Sequence, residues 1–371
     1  MSQTSANFTE ILAQLALTLP AELQSQCLDL LNEATQYSGT YSAAHMRGHL
    51  YPAALAGQIL AGLHQGNLLS PSLSPKLAQA EQEVKTQLCR LFHFPDMHFT
   101  PGGSYSNVEA LSMAKQRYPN RHWVYAGQDA HYSVAKACQT LGLSLQLFPD
   151  DFSLWQQACE VPPVAMIQTF GTTSSGQISP SFELTTLMPD KDFWWHIDAA
   201  WGGFKAFLVD PQLKQLSALA DSLCFDPHKA LGQPRPCGTL FYRQPLAPLP
   251  IQADYLCAQP DSRLPGSYGA EYFLPLWLTL KQHGLQQIQT DLKKNLHNAR
   301  VLHDWLTQRG VKVLDSPTAL VCFQTSVDLQ ALVQTGIISA TLINQQLWYR
   351  LVFADRTCQA SAVINQLAAY L

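Results

Sequence analysis

A mainly parallel α/β sheet with helices on both faces, followed by a smaller α/β domain, is the architecture the sequence predicts. Three observations predict it. From Phe94 to Phe241, short apolar runs alternate with helix-period segments, the pattern of repeated strand–helix units. Several of these runs stop at glycine or polar motifs, as strands do where a sheet presents side chains to a ligand. Beyond the Pro-, Gly-, Ser- and Tyr-rich stretch Pro245 to Tyr272, a long helical segment and three apolar runs form a second unit. The expected division is an N-terminal helical segment over 1–45, a large domain over 46–250 and a small C-terminal domain over 251–371.

Composition narrows the class. The 371 residues are 47% apolar and 13% charged, which suits a compact protein with much of its surface buried. A net charge of −4 argues against non-specific nucleic-acid binding, which needs a basic surface. The nine cysteines show neither paired spacing nor a CxxC, so no disulfide framework and no metal site is expected. Arg47 is the first basic residue, and the apolar run Ile11 to Leu19 is too short to span a bilayer. A soluble, cytoplasmic chain without membrane contact is the expectation.

The elements follow in order. Apolar residues at helical spacing from 8 to 35 predict two short amphipathic helices separated by Pro20, with Ala21 and Glu22 opening the second. His45 to Leu55, HMRGHLYPAAL, reads equally as a plain loop stiffened by Pro52 or as a segment that enters the functional site. After a Ser/Pro hinge, Leu77, Val84, Leu88 and Leu91 mark one side of a helix from Lys76 to Leu91. Strand-to-helix transitions then recur at Phe99 to Tyr118 and within VYAGQDAHYSVAKACQTLGL. Val164 to Thr169 is a buried strand ending in Gly-Thr-Thr, and Cys237 to Arg243 reads as the strand closing the large domain. A helix from about Leu274 to Leu306, broken near Gly284, opens the second unit. Strands near Val311–Leu314, Ala319–Thr325 and Leu347–Phe353 and a last helix from Ala360 to Tyr370 complete it.

Chemistry concentrates between Phe193 and Lys229. FWWHIDAAWGG delivers Asp198 at the end of an apolar run, and DSLCFDPHKALG delivers His228 and Lys229 at the end of another. A buried carboxylate and a lysine so placed are what a pyridoxal phosphate site requires: an amine to condense with the cofactor aldehyde, and a carboxylate to keep the ring nitrogen protonated. Upstream, FTPGGSYSNVEAL runs from a strand end through Gly102, Gly103 and Ser104 into a helix, where free N–H groups and the positive dipole end suit a phosphate. Taken singly, each has a plainer reading: Asp198 as a strand-end cap, Lys229 as a surface lysine, Ser104 and His131 as caps, Thr172 as a turn residue and Arg350 as an ion-pair partner.

Taken together and in this order, the motifs resemble the pyridoxal-dependent group II amino acid decarboxylases, the glutamate, aromatic amino acid and cysteine sulfinate decarboxylase-like family, from about His45 to the C-terminus. The resemblance implies a fold-type I pyridoxal phosphate enzyme. It further implies cofactor contacts from Gly103, Ser104, His131, Thr172, Asp198, Ala200, His228 and Lys229, with His131 on the ring and catalytic work for Lys229, His131 and Asp198. Arg350, in LWYRLVFADR, matches an arginine that meets the substrate carboxylate with its fork. The implied reaction is decarboxylation of an L-amino acid to an amine and CO₂ in a homodimer whose N-terminal helices pack on the partner. Another pyridoxal phosphate lyase or aminotransferase, or a cofactor-binding paralogue without turnover, are the alternatives. The segment Pro248 to Gly269, where the family carries a mobile loop with a protonating tyrosine, is short and offers Tyr255 and Tyr268. Asp226 stands where an asparagine is often found near the phosphate.

Overall fold

The computed structural model describes residues 20–35, 41–188, 190, 192–244, 263–264 and 266–371. Among the described residues, three α-helices lie ahead of the first strand, α1 (Ala21–Thr35), α2 (Pro52–His64) and α3 (Pro75–Phe92). Pro at the first turn of α2 and α3 sets their starts, because its missing N–H would have no partner there. The amphipathic helix expected before Pro20 lies outside the described residues.

The large unit alternates as its sequence demands: β1 (Asp96–Thr100), α4 (Gly103–Arg117), β2 (Trp123–Gly127), α5 (Tyr132–Leu141), β3 (Ser144–Phe148), α6 (Phe152–Ala158), β4 (Ala165–Phe170), β5 (Ile178–Ser179), β6 (Trp194–Asp198), α7 (Pro211–Leu219), β7 (Ser222–Phe225), the single turn α8 (Pro227–Ala230) and β8 (Gly238–Tyr242). Strand order is β1-β8-β7-β6-β4-β2-β3, with β5 on β4. β3, β2, β4, β6 and β7 run parallel, whereas β8 lies antiparallel between β7 and β1. Helices cover both faces, so β4 and β6 are buried along their whole length. That burial is why AMIQTF and WWHID read as continuous apolar runs instead of alternating ones.

The second unit comprises α9 (Leu274–Thr307), β9 (Lys312–Leu314), β10 (Leu320–Gln324), α10 (Gln330–Gln334), β11 (Ser339–Ile343), β12 (Gln346–Val352) and α11 (Ala360–Leu367). Its four strands form an antiparallel sheet in the order β11-β12-β10-β9. Gly284, at φ 67° and ψ 174°, breaks α9 where the sequence predicts it. The edge strand β11 was not expected, because SATLI is half exposed and carries little apolar signal.

The stretch from Tyr41 to Tyr51 ties the two sheets together. Val352 N–H donates to the Ala43 carbonyl, while Gly48 N–H donates to the Lys229 carbonyl and Tyr51 N–H to that of Gly232. A side chain at Gly48 would meet the Lys229 carbonyl oxygen and Gly232 nitrogen at 2.9 Å, so the backbone can approach the lysine turn only at a glycine. Among the described residues no helix is long and apolar enough to cross a membrane, and no cluster of metal-ligating side chains occurs.

Candidate active site

Register alone brings the two chemical motifs together. Asp198, the last residue of β6, is paired with Thr169 of β4 on one side and Cys224 of β7 on the other. The chain leaving β7 turns at once through Asp226 into α8, which carries His228 and Lys229. Thr169, Asp198, Asp226, His228 and Lys229 face a cavity of about 360 Å³ at the carboxyl ends of the parallel strands, lined also by Gly103, Ser104, His131 and Ala200.

At one wall, β1 ends and α4 begins. Gly102 adopts φ 152° and ψ 173°, a backbone open essentially to glycine. A Cβ on Gly103 would press to 3.1 Å on both Ala200 Cβ and Asp226 Oδ2, so only glycine leaves the helix start this close to the lysine turn. At the start of the 15-residue α4, the Tyr105 and Ser106 N–H groups donate to the Gly102 carbonyl, while those of Gly103 and Ser104 precede the first carbonyl the helix can offer them. Ser104 sits in that turn, exposed to the cavity.

Asp198 occupies the floor. It is buried, and its Oδ2 accepts from Asn107 Nδ2 at 3.0 Å while Oδ1 accepts from the Ala200 N–H at 3.1 Å and from the Cys224 thiol at 3.4 Å. Burial pushes its carboxyl up, but the Asn107 amide, the charge of Lys229, His196 and the Ala200 N–H together hold it below the usual carboxylate range. It is therefore ionised without any cofactor to balance it.

His131 caps α5: its Nδ1 accepts from the Ser133 N–H at 3.3 Å and lies 2.8 Å from the Ser133 hydroxyl. Burial lowers its basicity, opposed by the Asp198 charge and reinforced by Lys229. Capping and lining the cavity are both true of this one ring.

Lys229 Nζ lies 3.4 Å from Asp226 Oδ2, and His228 Nε2 lies 3.6 Å from the same oxygen. Asp226 thus turns toward the lysine and histidine. Its other oxygen, Oδ1, is buried with no hydrogen-bond partner among the described residues. His228 Nδ1 donates to the Cys237 carbonyl at 2.7 Å, and burial pushes its basicity down.

Two expected residues stand apart from the cavity lining. Thr172 is fully buried with its hydroxyl 2.8 Å from Ser175, and its neighbours Thr169 and Thr173 face the cavity instead. Arg350, on β12, donates from Nη1 to the Thr173 carbonyl at 2.6 Å, from Nη2 to the Ala44 carbonyl and from Nε to the Ser339 hydroxyl. It backs the Thr173 loop from the second unit. Of the loop tyrosines, Tyr255 lies outside the described residues, and Tyr268 is buried with its hydroxyl on Glu81 and its ring on Tyr272 and Phe273.

Sequence reading missed Asn107, Ser133, His196, Cys224 and Arg235. Asn107 had a signal, since it falls one helical turn after Gly103 and so faces the same side of α4. Arg235, exposed at the cavity, had none: it stands in a Pro-rich loop after the lysine turn.

Comparison with known proteins agrees with this geometry. A family model described as "Pyridoxal-dependent decarboxylase conserved domain" matches residues 39–326. A probable L-tyrosine/L-aspartate decarboxylase from Methanocella arvoryzae is 29% identical over 266 residues, 68% of this chain and 71% of the relative. An L-2,4-diaminobutyrate decarboxylase from Rhizobium meliloti is 32% identical over 239 residues, 57% and 48% of the respective chains. The crystal structure of mouse CSAD superposes with a TM-score of 0.79 at 23% identity, covering 97% of this chain and 90% of that one, which supports the fold. With most of its length matched, the chain belongs to the pyridoxal-dependent decarboxylase family, and its cofactor is pyridoxal phosphate.

Proposed function

We propose that the protein decarboxylates an L-amino acid to the amine and CO₂, with Lys229 as the covalent anchor of pyridoxal phosphate. One observation carries the reading: a lysine amine and a buried, ionised carboxylate leave neighbouring strands and meet at one cavity beside a glycine-lined helix start. The residues suit the cofactor. Asp198 is held below the usual carboxylate range, as suits a partner for a protonated ring nitrogen, and Gly102 and Gly103 bring the backbone at the start of α4 to the cavity wall without a side chain.

Bound there, the cofactor supplies an electron-accepting ring conjugated to the substrate nitrogen. The chain's own residues do the rest. Gly103, Ser104 and the start of α4 hold the phosphate through N–H donors and the helix dipole. Asp198, buttressed by Asn107 and the Ala200 N–H, keeps the proton at the ring nitrogen. Neutral His131 offers a flat face with no competing charge, and Thr172 keeps the loop behind it in shape through Ser175. Asp226 holds the lysine amine before attachment. Three N–H groups of Arg350 are committed to the protein, which leaves two for the substrate carboxylate. A carboxylate fixed by that fork places the bond to be broken in one orientation, the largest contribution positioning can make.

Two assembly features belong to the same proposal. A homodimer is supported by apolar side chains left on the surface, Leu30 at 67% and Leu63 at 69% exposure. The division into 1–45, 46–250 and 251–371 is supported by the two separate sheets. A cytoplasmic location remains part of this proposal, in keeping with the scattered cysteines.

The deciding experiment is CO₂ release from cofactor-loaded protein over a panel of L-amino acids, with products identified. An amine with stoichiometric CO₂ is expected. A keto acid without CO₂ would assign an aminotransferase, and a bound cofactor with no turnover on any amino acid would remove the enzymatic reading.

A further inference from the structure

Beneath Asp198 runs a buried chain of side chains whose hydrogen bonds leave no freedom of direction. Trp194 Nε1 donates to the Ser222 hydroxyl at 2.8 Å. That hydroxyl lies 2.8 Å from His196 Nδ1, His196 Nε2 lies 2.9 Å from Asn107 Oδ1, and Asn107 Nδ2 reaches Asp198 Oδ2 at 3.0 Å. The same Nδ2 reaches the Ser133 hydroxyl at 2.9 Å, and Ser133 in turn contacts His131 Nδ1. His196, Asn107 and Ser222 are fully buried, and Trp194 and Asp198 nearly so.

Both ends of this chain have a fixed sense. An indole can only donate, and an ionised carboxylate can only accept. Working back from Asp198, Asn107 must present its NH₂ to the carboxylate and its oxygen to His196. His196 must then carry its proton on Nε2 and accept at Nδ1. The Trp194 end is compatible with this sense: the Ser222 oxygen accepts from the indole N–H, and its own hydrogen is available to His196 Nδ1. Reversing His196 would bring a second donor onto Ser222, leave the hydroxyl hydrogen unmatched, and turn the Asn107 oxygen against Asp198. Buried mismatches of this kind are costly.

We propose that Trp194, Ser222 and His196 are positioning residues that act through Asn107 to fix the charge and aim of Asp198, and through Ser133 the tautomer of His131. The relay rests on the reading that Asp198 serves the cofactor ring. It adds that the carboxylate is prepared by a donor three side chains and a full strand away. Trp194 begins β6 and Asp198 ends it, so a single strand carries both the origin and the terminus of the relay, with α4 and β7 supplying the links. On the branch to His131, the Ser133 N–H also donates to Nδ1, which leaves Nε2 to carry the ring proton at the cavity.

The test reads the tautomer directly and needs no turnover. In full-length protein stripped of cofactor and labelled with ¹⁵N-histidine, two-bond proton–nitrogen spectra should show His196 neutral, with a protonated Nε2 and an acceptor-type Nδ1. His196→Gln identifies the signal by its loss. Trp194→Phe and Ser222→Ala should each convert His196 to a tautomer mixture and weaken pyridoxal phosphate binding roughly tenfold, the scale of one buried polar group losing its partner. His196→Gln, which can still donate to Asn107, should bind cofactor more tightly than His196→Leu. An Nδ1-protonated His196 in the parent protein would overturn the relay. So would an unchanged tautomer and affinity in both Trp194→Phe and Ser222→Ala. Absence of decarboxylation with the stated tautomer would defeat the proposed function and leave the relay standing.

Discussion

Two side chains at the cavity carry most of the chemistry, and each has a distinct expected signature. Borohydride reduction of the loaded protein followed by peptide mapping should place the label on Lys229, and Lys229→Ala should abolish it while the fold persists. A label on another lysine would move the anchor. For Asp198, substitution by Asn keeps the shape but cannot hold a charge against a ring proton, so activity should fall on the order of 10²–10⁴-fold. Near-parent turnover in Asp198→Asn would mean that another group serves the ring nitrogen. Asp226 makes a subtler case, because its Oδ2 faces Lys229 and His228 and also lies against the helix start, 3.1 Å from where a Cβ on Gly103 would sit.

At the level of elements, the joint between β6, β7 and α4 is held by polar groups, and its acid response follows from His196. Burial pushes that imidazole down to about 4, against an ordinary value of 6.5. The unfolded chain therefore binds the extra proton first, and stability is lost as pH falls from 6.5 toward 4. The gap corresponds to about 3 kcal/mol, at 1.36 kcal/mol per pH unit. Chemical denaturation of the cofactor-free protein at pH 7 and pH 4.5 should show a steeper acid loss in the parent than in His196→Gln. Equal losses would mean that the imidazole is not buried neutral. The Tyr41–Tyr51 strap supplies a second test at this scale. Gly48→Ala forces a methyl group to 2.9 Å from the Lys229 carbonyl and should destabilise the protein by about 1–3 kcal/mol, read from thermal unfolding, with weaker cofactor retention.

For the molecule as a whole, the exposed leucines of α1 and α2 argue for a partner surface. Sedimentation should give a dimer at micromolar concentration, and Leu63→Glu should raise the monomer fraction without altering the secondary-structure content. A fully active monomer would remove the dimer from the proposal. Both sheets contribute to the site, since Arg350 from β12 holds the Thr173 loop of the large unit. Arg350→Met should accordingly raise KM for the amino acid more than it lowers kcat. If Arg235→Met does so instead, the exposed arginine at the cavity is the carboxylate partner.

What the sequence determined by itself was the alternation of strands and helices and the residues that close each strand. Parallel strands buried on both faces must be apolar along their length, and a ligand edge must interrupt them with glycine or charge, so WWHID, LCF and the Gly102–Gly103 turn were legible one by one. The break in α9 at Gly284 was legible for the same local reason. Elements whose stability comes from neighbours were not: β11 is a half-exposed edge strand, and β8 reads no differently for running antiparallel. Tertiary structure alone decided which polar residues share a volume. Asn107 and Asp198 are 91 residues apart, and His196 and Ser222 are 26 apart, yet strand register and the α4 packing put them within one hydrogen bond of each other. No local period encodes such a contact. It follows from burial, which allows a polar side chain in the core only where another completes its hydrogen bonds.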